Sequence, residues 1–450
     1  MNAEKNKKIY IETYGCQMNF SDSEIVASVL TDHGYSATDE IQSADIIFLN
    51  TCSIRDNAEQ RVKKRLQHFH ALKKKKPGLM IGLLGCMADR IKTVLLEEEQ
   101  LLDVVAGPDA YRDLPRLLEQ VESGQRGVNT LLSMEETYAD ITPVRLGTNG
   151  VSAFISIMRG CENYCSYCVV PSTRGKERSR DAGSIIREST ELFDQGFREI
   201  TLLGQNVNSY SWQEGENEIT FARLLEKVAR INPILRIRFA TSHPKDISDE
   251  LLETMATHPN ICKAIHLPVQ SGSSRVLDRM NRKYTREEYM ERVEAIRRII
   301  PGCAISTDII TGFCDETEED HGETLSLMRW VRFDYAFMFK YSERPMTLAA
   351  DTLQDNIPET VKDRRLTEVI DLQQKLSYDS NQRDVNKVFE VLIEGDSKRS
   401  GDHFMGRNSQ NKVVVFPKID AKPGEYENVK IQSFTSATLL GDATKTHLFV

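Results

Sequence analysis

The chain has 450 residues, 40% of them hydrophobic, and a formal net charge of −9 from 58 basic and 67 acidic residues. This length exceeds what one ordinary hydrophobic core holds, so we expect two or three domains. The acidic balance excludes a surface that is basic throughout and coats nucleic acid. No apolar run approaches the roughly eighteen residues of a membrane-spanning helix, and the opening MNAEKNKK is polar. The sequence therefore predicts a cytoplasmic protein with no membrane contact and no signal peptide.

Three strand-like runs at the start of the chain each end in a cysteine. They are KIYIETYGC, DIIFLNTC and LMIGLLGC, and each is followed by a helical pattern: SDSEIVASVLTDHG, NAEQRVKKRLQHFHALKKKK and ADRIKTVLLEEE. Strands that alternate with helices favour a doubly wound parallel sheet, here predicted for residues 1–130. Ligands of such sheets bind outside the carboxyl ends of the strands. We therefore expect Cys16, Cys52 and Cys86 to meet at one edge of the sheet.

Taken singly, each of these three cysteines is more often a small buried hydrophobe than a ligand. Their equivalent positions in consecutive strand–helix units favour a shared metal site instead. Three thiolate ligands would leave one iron of a [4Fe–4S] cluster exchangeable. That iron could bind an external sulfide or methylsulfide.

A second group of cysteines lies within one short segment, Cys161-Glu-Asn-Tyr-Cys165-Ser-Tyr-Cys168. Three thiolates this close can hold three irons of a [4Fe–4S] cluster, and no fourth cysteine stands in the loop. The open iron could chelate the amino and carboxylate groups of S-adenosylmethionine. A structural zinc loop or plain thiols are the alternatives, although zinc normally takes four ligands. The spacing C-x3-C-x2-C, with Tyr167 before the last cysteine, resembles the radical-SAM signature.

The rest of the chain divides by pattern. Residues 131–150 have the Thr, Pro and Gly content of a linker. Residues 151–380 contain six strand signals separated by helical patterns, which predicts a partial TIM-like barrel. Residues 381–450 contain short strands joined by Gly, Pro and Asn turns, which predicts a small β-barrel of the OB-like, RNA-binding kind. The predicted fold class is α/β, with the small β-barrel at the end.

The motifs resemble those of the methylthiotransferase family of radical-SAM enzymes over essentially the whole chain. ETYGCQMNFSDSE, NTCSIRDNAEQRV and LGCMADR look like its N-terminal domain, CENYCSYCVVPSTRGKERSR like its radical-SAM loop, and GRNSQNKVVVF like its C-terminal TRAM domain. GCQMN and NTCSIR are similar to the tRNA-modifying branch. The resemblance implies two [4Fe–4S] clusters on the six cysteines. It also implies two S-adenosylmethionines, one as methyl donor and one as radical source.

For this branch the implied reaction adds a methylthio group to carbon 2 of N6-isopentenyladenosine at tRNA position 37, in the anticodon stem-loop. An electron donor such as flavodoxin or ferredoxin and a sulfur donor are the other implied partners. Threonylcarbamoyl-adenosine in tRNA and a ribosomal-protein aspartate are alternative substrates. A non-catalytic RNA-binding or iron–sulfur carrier protein is the alternative of another class, and it predicts no cleavage of S-adenosylmethionine.

S-Adenosylmethionine contacts are expected at the carboxyl ends of the barrel strands, the face on which such barrels place their sites. Some of these polar groups could instead satisfy strand-end backbone. Besides Tyr167, the candidates are Gln205, Asn206, Ser242, His266, Gln270, Asp308 and Arg344.

Substrate contacts are predicted at two places. Gln17 and Asn19 follow the first cysteine, and their amides could read an adenine edge, with a turn-forming role as the alternative. Arg174, Arg178 and Arg180 follow the radical-SAM loop and could contact phosphates, with a solvated surface position as the alternative, which we favour for Arg178. The run RVKKRLQHFHALKKKK, residues 61–76, is either a solvated face or a further phosphate contact.

Overall fold

The computed structural model describes residues 7–52, 56–88 and 102–444, and of residues 56–60 only the helical backbone. The chain forms two compact units. The first unit comprises Met1–Gly147, Met158–Glu162 and Cys168–Arg180. The second unit comprises Thr148–Ile157, Asn163–Tyr167 and Asp181–Val450. Within the described ranges, no helix combines the length and apolarity needed to cross a membrane.

The first unit is built on a six-stranded parallel sheet in the order β2-β1-β3-β4-β5-β6. Its strands are β1 (Lys8–Tyr14), β2 (Ser36–Ala37), β3 (Ile46–Thr51), β4 (Met80–Leu84), β5 (Val104–Ala106) and β6 (Gly127–Asn129). β3 and β4 are buried along their whole length, as strands covered on both faces must be.

Helices cover both faces of this sheet. They are α1 (Gln17–Thr31), α2 (Asp56–Lys75) and α3 (Leu114–Glu122). One core joins Ile25 of α1 to Leu117 of α3, and the other contains Leu66 and Phe69 of α2. The doubly wound sheet predicted from the sequence is thereby confirmed. The helix predicted over residues 88–99 falls almost entirely outside the described residues.

The predicted linker is part of the first unit as far as Gly147. Its irregular backbone is tied to α1: the Ser28 hydroxyl donates to the Thr142 carbonyl at 2.8 Å and accepts from the Val144 amide at 2.7 Å. Arg145 forms a 2.7 Å ion pair with Glu24, also on α1. These bonds use buried polar groups of α1 that a free linker would leave unsatisfied.

Two short pieces of the predicted central domain also belong to the first unit. β8 (Met158–Arg159) pairs antiparallel with β9 (Arg178–Ser179), and α4 (Val170–Arg174) lies between them in the chain. The first unit therefore includes a segment that the predicted boundary at residue 151 assigned to the central domain.

The second unit contains six parallel strands in two three-stranded sheets, β13-β10-β7 and β14-β15-β16. An isolated parallel bridge joins Ile237 of β13 to Ile261, which lies three residues before β14. The strands are β7 (Ser152–Ser156), β10 (Glu199–Leu203), β13 (Arg236–Ala240), β14 (Ala264–His266), β15 (Ala304–Thr311) and β16 (Tyr335–Lys340), with a hairpin of β11 (Ser211–Glu214) and β12 (Asn217–Thr220). This is the partial TIM-like arrangement that the six strand signals predicted.

Helices follow these strands in the order expected of a βα barrel. They are α5 (Ala182–Asp194), α6 (Phe221–Ala229), α7 (Asp249–Thr257), α8 (Ser274–Arg279), α9 (Arg286–Ile299), α10 (Glu318–Val331), α11 (Leu348–Thr352) and α12 (Glu359–Gln382). Polar N-caps set where several begin: Thr285 and Thr317 each form a reciprocal capping box with the acidic residue three positions on.

The chain ends in a closed barrel of five strands in the order β17-β18-β19-β21-β20. They are β17 (Val388–Ser397), β18 (Ser400–Asn408), β19 (Val413–Pro417), β20 (Tyr426–Phe434) and β21 (Thr438–Ala443). Phe404 and Phe416 lie in its buried core, so they pack the barrel. The predicted small β-barrel is confirmed.

The carboxyl end of β18 anchors this barrel to the amino ends of the parallel strands. Arg236 of β13 donates to the Arg407 carbonyl at 2.7 Å, and Arg238 donates to the Asn408 carbonyl at 2.8 Å. Arg238 is held in turn by Glu199 of β10 at 2.8 Å. The small barrel thus lies at the end of the strands opposite to the carboxyl ends, where the cofactor contacts are expected.

Candidate metal and cofactor sites

The three cysteines of the first unit follow three adjacent strands at the same edge of the sheet. Cys16 follows β1 and caps the amino end of α1, Cys52 directly follows β3, and Cys86 lies two residues after β4. Cys52 and Cys86 are buried, whereas Cys16 is exposed. The fold thus brings together the strand ends that the sequence predicted to converge.

Glycines precede two of these cysteines because the strand ends approach closely. Gly15 has φ +147°, and a Cβ there would lie 2.7 Å from the Cβ of Cys52. Gly85 has φ +89°, and a Cβ there would lie 2.6 Å from the Thr51 carbonyl oxygen. Any larger residue would push the cysteine loops apart.

The environment of the thiols favours a thiolate at Cys16. A hydrogen bond with Cys52 and the charge of Arg174 outweigh desolvation and lower the pKa of the Cys16 thiol to about 6. Burial raises the pKa of the Cys86 thiol, although Arg174 acts against that rise. A thiolate is the form that binds metal, so among these predicted ligands Cys16 has a surrounding that suits the role.

Asn19 holds the loop of Cys16 to the end of β3 through its side-chain amide. It is fully buried, and its side-chain oxygen accepts from the backbone and thiol of Cys16, both at 3.3 Å. Its amide nitrogen donates to Asn50 and to the Thr51 carbonyl. Its amide is therefore committed to the loop, and the turn-forming alternative fits Asn19 better than the predicted contact with a base. Gln17 is exposed at the first position of α1 and keeps its predicted role.

A buried group of charges lies beside these cysteines. Asp22 of α1 forms ion pairs with Arg159 of β8 and, at 2.7 Å, with Arg174 of α4. Arg174 also donates from Nε to the sulfur of Cys86 at 3.1 Å. The Arg174 side chain is only 3% exposed and contacts the sulfur of Cys86, so its predicted phosphate contact stays a prediction that would need a local rearrangement.

The donor set at this edge of the sheet fits an iron–sulfur cluster. Among the described residues, no group of three or more His, Cys, Asp or Glu side chains is arranged to hold a single metal ion. A [4Fe–4S] cluster is ligated at separate corners, and thiolates are its ordinary ligands. The buried Nη1 of Arg174 has no hydrogen-bond partner in the structure, and a cluster sulfide is an acceptor of the kind it lacks.

The second cysteine loop is divided between the two units. Cys161 and Cys168 belong to the first unit, where the Cys161 amide donates to the Gly175 carbonyl at 3.2 Å. Cys165 belongs to the second unit, in a segment fixed by the Ser166 amide, which donates to the Met280 carbonyl at 2.9 Å. The predicted ligation of one cluster by all three cysteines therefore stays a prediction.

Cys165 lies beside a buried arginine that the sequence did not reveal. Arg282 is 4% exposed and donates to the sulfur of Cys165 at 3.2 Å. It also donates to the Tyr284 hydroxyl at 3.0 Å, the Pro268 carbonyl at 2.7 Å and the Tyr167 hydroxyl at 3.3 Å. The predicted cofactor residue Tyr167 is thus part of the support of this arginine.

Several predicted S-adenosylmethionine contacts carry buried atoms without hydrogen-bond partners. Within the described residues these include Gln205 Oε1, Ser242 Oγ and Gln270 Oε1, after β10, β13 and β14 respectively. Gln270 also has φ +71°, a strained conformation for a residue other than glycine. Orphaned polar groups at these carboxyl ends fit a polar ligand that would satisfy them.

The remaining cofactor candidates differ from these. Asn206 donates to Asp246 at 2.7 Å and accepts from the His243 amide at 3.1 Å, so its amide is used by the fold. His266 Nε2 lies 3.4 Å from Asp308 Oδ1, and both side chains are partly exposed. Arg344 lies in the loop after β16.

His243 is a candidate that the sequence analysis missed. It is 5% exposed, neither ring nitrogen has a partner, and burial lowers its pKa to about 2, which keeps the ring neutral. The sequence could have indicated His243, because it directly follows the predicted residue Ser242 in the loop after β13.

The remaining arginines of the radical-SAM segment are buried in the first unit. Arg178, expected on the surface, forms a 3.0 Å ion pair with Asp109. Arg180 is 5% exposed, so its predicted phosphate contact would need a local rearrangement. In the basic run, Arg65, Lys73 and Lys76 form ion pairs, while Lys63, Lys64, Lys74 and Lys75 remain exposed.

Family comparisons agree with this division of the chain. Residues 8–107 match "Uncharacterized protein family UPF0004", residues 155–328 match the radical SAM superfamily and residues 382–444 match the TRAM domain. Among solved structures, the chain is similar to the radical S-adenosylmethionine methyltransferase TsrM from Kitasatospora setae, with 13% identity, 77% of each chain covered and a TM-score of 0.56. It is also similar to the cobalamin-dependent S-adenosylmethionine radical enzyme OxsB, with 14% identity, 82% of this chain and 56% of that chain covered and a TM-score of 0.54. These likenesses define a radical-SAM fold.

Full-length relatives are much more similar in sequence. A tRNA-2-methylthio-N(6)-dimethylallyladenosine synthase from Amoebophilus asiaticus is 59% identical over 97% of this chain and 92% of its own. Those from Chloroherpeton thalassium and Bacteroides fragilis are 58% and 56% identical, over 97% and 98% of this chain and 96% of their own lengths. The chain belongs to the family of tRNA-2-methylthio-N(6)-dimethylallyladenosine synthases, which confirms the predicted resemblance. A radical-SAM protein of this family uses S-adenosylmethionine and a [4Fe–4S] cluster.

Proposed function

We propose that this chain inserts a methylthio group at carbon 2 of N6-isopentenyladenosine at position 37 of tRNA, in the anticodon stem-loop. The relatives' name gives the substrate class. The observation that carries the proposal is the division of six cysteines into two groups of three, one at adjacent strand ends and one in a short loop. Two groups can hold two [4Fe–4S] clusters, one for sulfur and one for radical chemistry.

The first group of cysteines would hold the cluster that carries the sulfur to be transferred. Cys16, Cys52 and Cys86 supply three thiolates, which leaves one corner for an exogenous sulfur ligand. The exposure of Cys16 opens this edge of the sheet to solvent and thus to an incoming sulfur donor. The buried pair of Cys52 and Cys86 would keep the other side of the cluster dry.

The loop cysteines Cys161, Cys165 and Cys168 would hold the second cluster. When bound, that cluster supplies the electron that cleaves S-adenosylmethionine. The residues of the chain bind and orient the cofactor: Gln205, Ser242, His243 and Gln270 offer buried polar groups at the carboxyl ends of the strands, where such barrels bind ligands.

The last strand of the second sheet offers a surface for an unstacked base. Tyr335, Phe337 and Phe339 alternate along β16 and are 54%, 43% and 42% exposed. Tyr335 and Phe337 pack edge to face at 4.9 Å, and His266 packs on Phe337 at 5.8 Å. Single-stranded RNA bases commonly stack on such aromatic side chains, and an isopentenyl group adds apolar area.

The partners of the reaction follow from its chemistry. An electron donor such as flavodoxin or ferredoxin would reduce the clusters, and a separate sulfur donor would replace the sulfur consumed in each turnover. We place the reaction in the cytosol, where thiols are kept reduced and available to iron.

Mass spectrometry of nucleosides tests the proposal. Reconstituted, reduced enzyme is incubated with S-adenosylmethionine and tRNA that lacks only the methylthio group. The expected product is 2-methylthio-N6-isopentenyladenosine. Formation of 5′-deoxyadenosine with an unchanged nucleoside would overturn the substrate, and absence of both products with intact clusters would overturn the enzyme activity.

A further inference from the structure

A buried charge group in the first unit connects the segment after the radical-SAM cysteines to the first cysteine group. Asp22 is fully buried, and Arg159 and Arg174 are 1% and 3% exposed. Arg174 is the last residue of α4, which begins two residues after Cys168. The guanidinium of Arg174 reaches Cys86 across 88 residues of sequence.

The charges of this group do not cancel. Two guanidinium groups pair with one carboxylate, which leaves one positive charge in a region of low dielectric constant. An unbalanced buried cation is costly unless an anion lies nearby. A [4Fe–4S] cluster with three thiolate ligands carries a net negative charge, so it would supply the missing anion.

The hydrogen bonds of Arg174 are directed at the same place. Its Nε donates to Cys86 Sγ at 3.1 Å, its Nη2 donates to Asp22 at 2.7 Å, and its buried Nη1 lacks a partner. Two of its donor atoms are thus fixed by the protein. The third is available to an acceptor bound beside Cys86.

We propose that Arg174 is a positioning residue for the first cluster, which orients the Cys86 thiolate by an N–H···S hydrogen bond and compensates the cluster's negative charge. Asp22 holds the guanidinium in place. Hydrogen bonds to the sulfurs and nearby positive charge raise the reduction potential of iron–sulfur clusters, so Arg174 makes the first cluster easier to reduce. The inference rests on the proposed function, since it needs a cluster on Cys16, Cys52 and Cys86.

The test uses the full chain with Cys161, Cys165 and Cys168 replaced by alanine, so that only the first cluster is reconstituted. In this background Arg174→Met is compared with the unmodified arginine. We expect a more negative midpoint potential in an EPR-monitored titration. We also expect several-fold faster loss of iron to a chelator. Arg174→Lys keeps the charge and is expected to restore most of the potential.

Arg178→Met is the matched control. Arg178 lies in the same segment, is similarly buried and pairs with Asp109, and its other hydrogen bonds in the described structure go to the backbone carbonyls of Ser133 and Arg174 and to no cysteine sulfur. It is expected to lower thermal stability without moving the potential. If Arg174→Met yields no folded protein, Arg174→Gln, which keeps an N–H donor but no charge, is measured in its place.

The outcomes separate the inference from the proposed function. Equal potentials and equal iron loss for the Arg174 variants, the control and the parent would overturn the inference and leave the cluster assignment intact. A background protein that binds no cluster, although its circular dichroism is native, would overturn the assignment of Cys16, Cys52 and Cys86 and the inference with it.

Discussion

Arg174 in the first unit and Arg282 in the second are both buried arginines that donate to a cysteine sulfur, at 3.1 and 3.2 Å. They are held in different ways. Arg174 is paired with the Asp22 carboxylate, whereas the hydrogen-bond partners of Arg282 within the described second unit are neutral oxygens and the sulfur of Cys165. The charge of Arg174 is thus partly neutralised by Asp22, whereas these contacts of Arg282 include no carboxylate. The comparison shows that the two cysteine sulfurs lie in different electrostatic surroundings.

The largest expected effect is the loss of reaction products when one cysteine of either group is replaced, and the two groups should differ in which products are lost. Cys165→Ala should abolish both 5′-deoxyadenosine and the methylthio nucleoside, because the open iron that would bind S-adenosylmethionine is lost. Cys86→Ala should still form 5′-deoxyadenosine but no methylthio nucleoside. Both products are quantified by mass spectrometry of one reaction. Normal methylthio product from Cys86→Ala would refute the division of labour between the groups.

Asp22→Asn should have the largest effect on stability. It leaves Arg159 and Arg174 buried without a carboxylate, which costs about 3–5 kcal/mol in the free energy of unfolding. Chemical denaturation of the cluster-free protein measures this. Glu122→Gln, which removes the exposed partner of Lys7 in the same unit, is the control and should cost about 0–1 kcal/mol. A loss at Asp22 no larger than the control's would contradict the account.

The Asp22 effect should also depend on pH. Burial raises the pKa of this carboxyl, but Arg159 and Arg174 outweigh it and hold the pKa below its ordinary value of 3.8. A lowered pKa means that the carboxylate stabilises the fold at neutral pH, and that this contribution disappears as the pH falls through the lowered value. The free energy of unfolding should therefore differ between Asp22→Asn and the parent by the same amount at all pH values above about 5. This difference should become smaller only in stronger acid.

Arg282→Met should weaken the second site by an intermediate amount. A hydrogen bond from a charged group is worth about 1.5–3 kcal/mol, so 5′-deoxyadenosine formation should fall by roughly ten- to a hundredfold. Arg286→Met is the control, because Arg286 donates to Gly272, Glu323 and Ser326 and to no cysteine in the described chain. Equal rates for the two variants would show that Arg282 is only structural.

The smallest effects are expected for Gln205 and Asn206, two neighbouring amide side chains after β10, and the two variants should change different quantities. Gln205→Ala removes a buried oxygen without a partner, so it should raise the Kd for S-adenosylmethionine about fivefold, from about 1 kcal/mol, and leave stability unchanged. Asn206→Ala removes the partner of Asp246 and of the His243 amide, so it should cost about 1–3 kcal/mol of stability. Equilibrium binding measures the Kd and chemical denaturation measures the stability. Weaker binding in Asn206→Ala together with lower stability in Gln205→Ala would contradict this assignment of the two amides.

The sequence predicted the architecture because hydrophobic periodicity is local. Each strand run with its cysteine is contiguous, so the convergence of Cys16, Cys52 and Cys86 followed from topology alone. The roles of Arg174 and Arg178 could not be read in this way, since their partners Asp22 and Asp109 lie 152 and 69 residues away in sequence. The composition of residues 131–150 likewise did not indicate that this segment would form hydrogen bonds and an ion pair with Ser28 and Glu24 of α1.

The central claim is that the chain carries two separately ligated clusters, and a count of iron and sulfide per chain tests it most directly. The unmodified protein is reconstituted beside two triple alanine variants, one at Cys16, Cys52 and Cys86 and the other at the three loop cysteines. The account predicts that each variant retains half of the parent's iron and sulfide, with a [4Fe–4S] spectrum in both. A parent with no more iron than one of the variants, or a variant that loses all of it, would contradict the account.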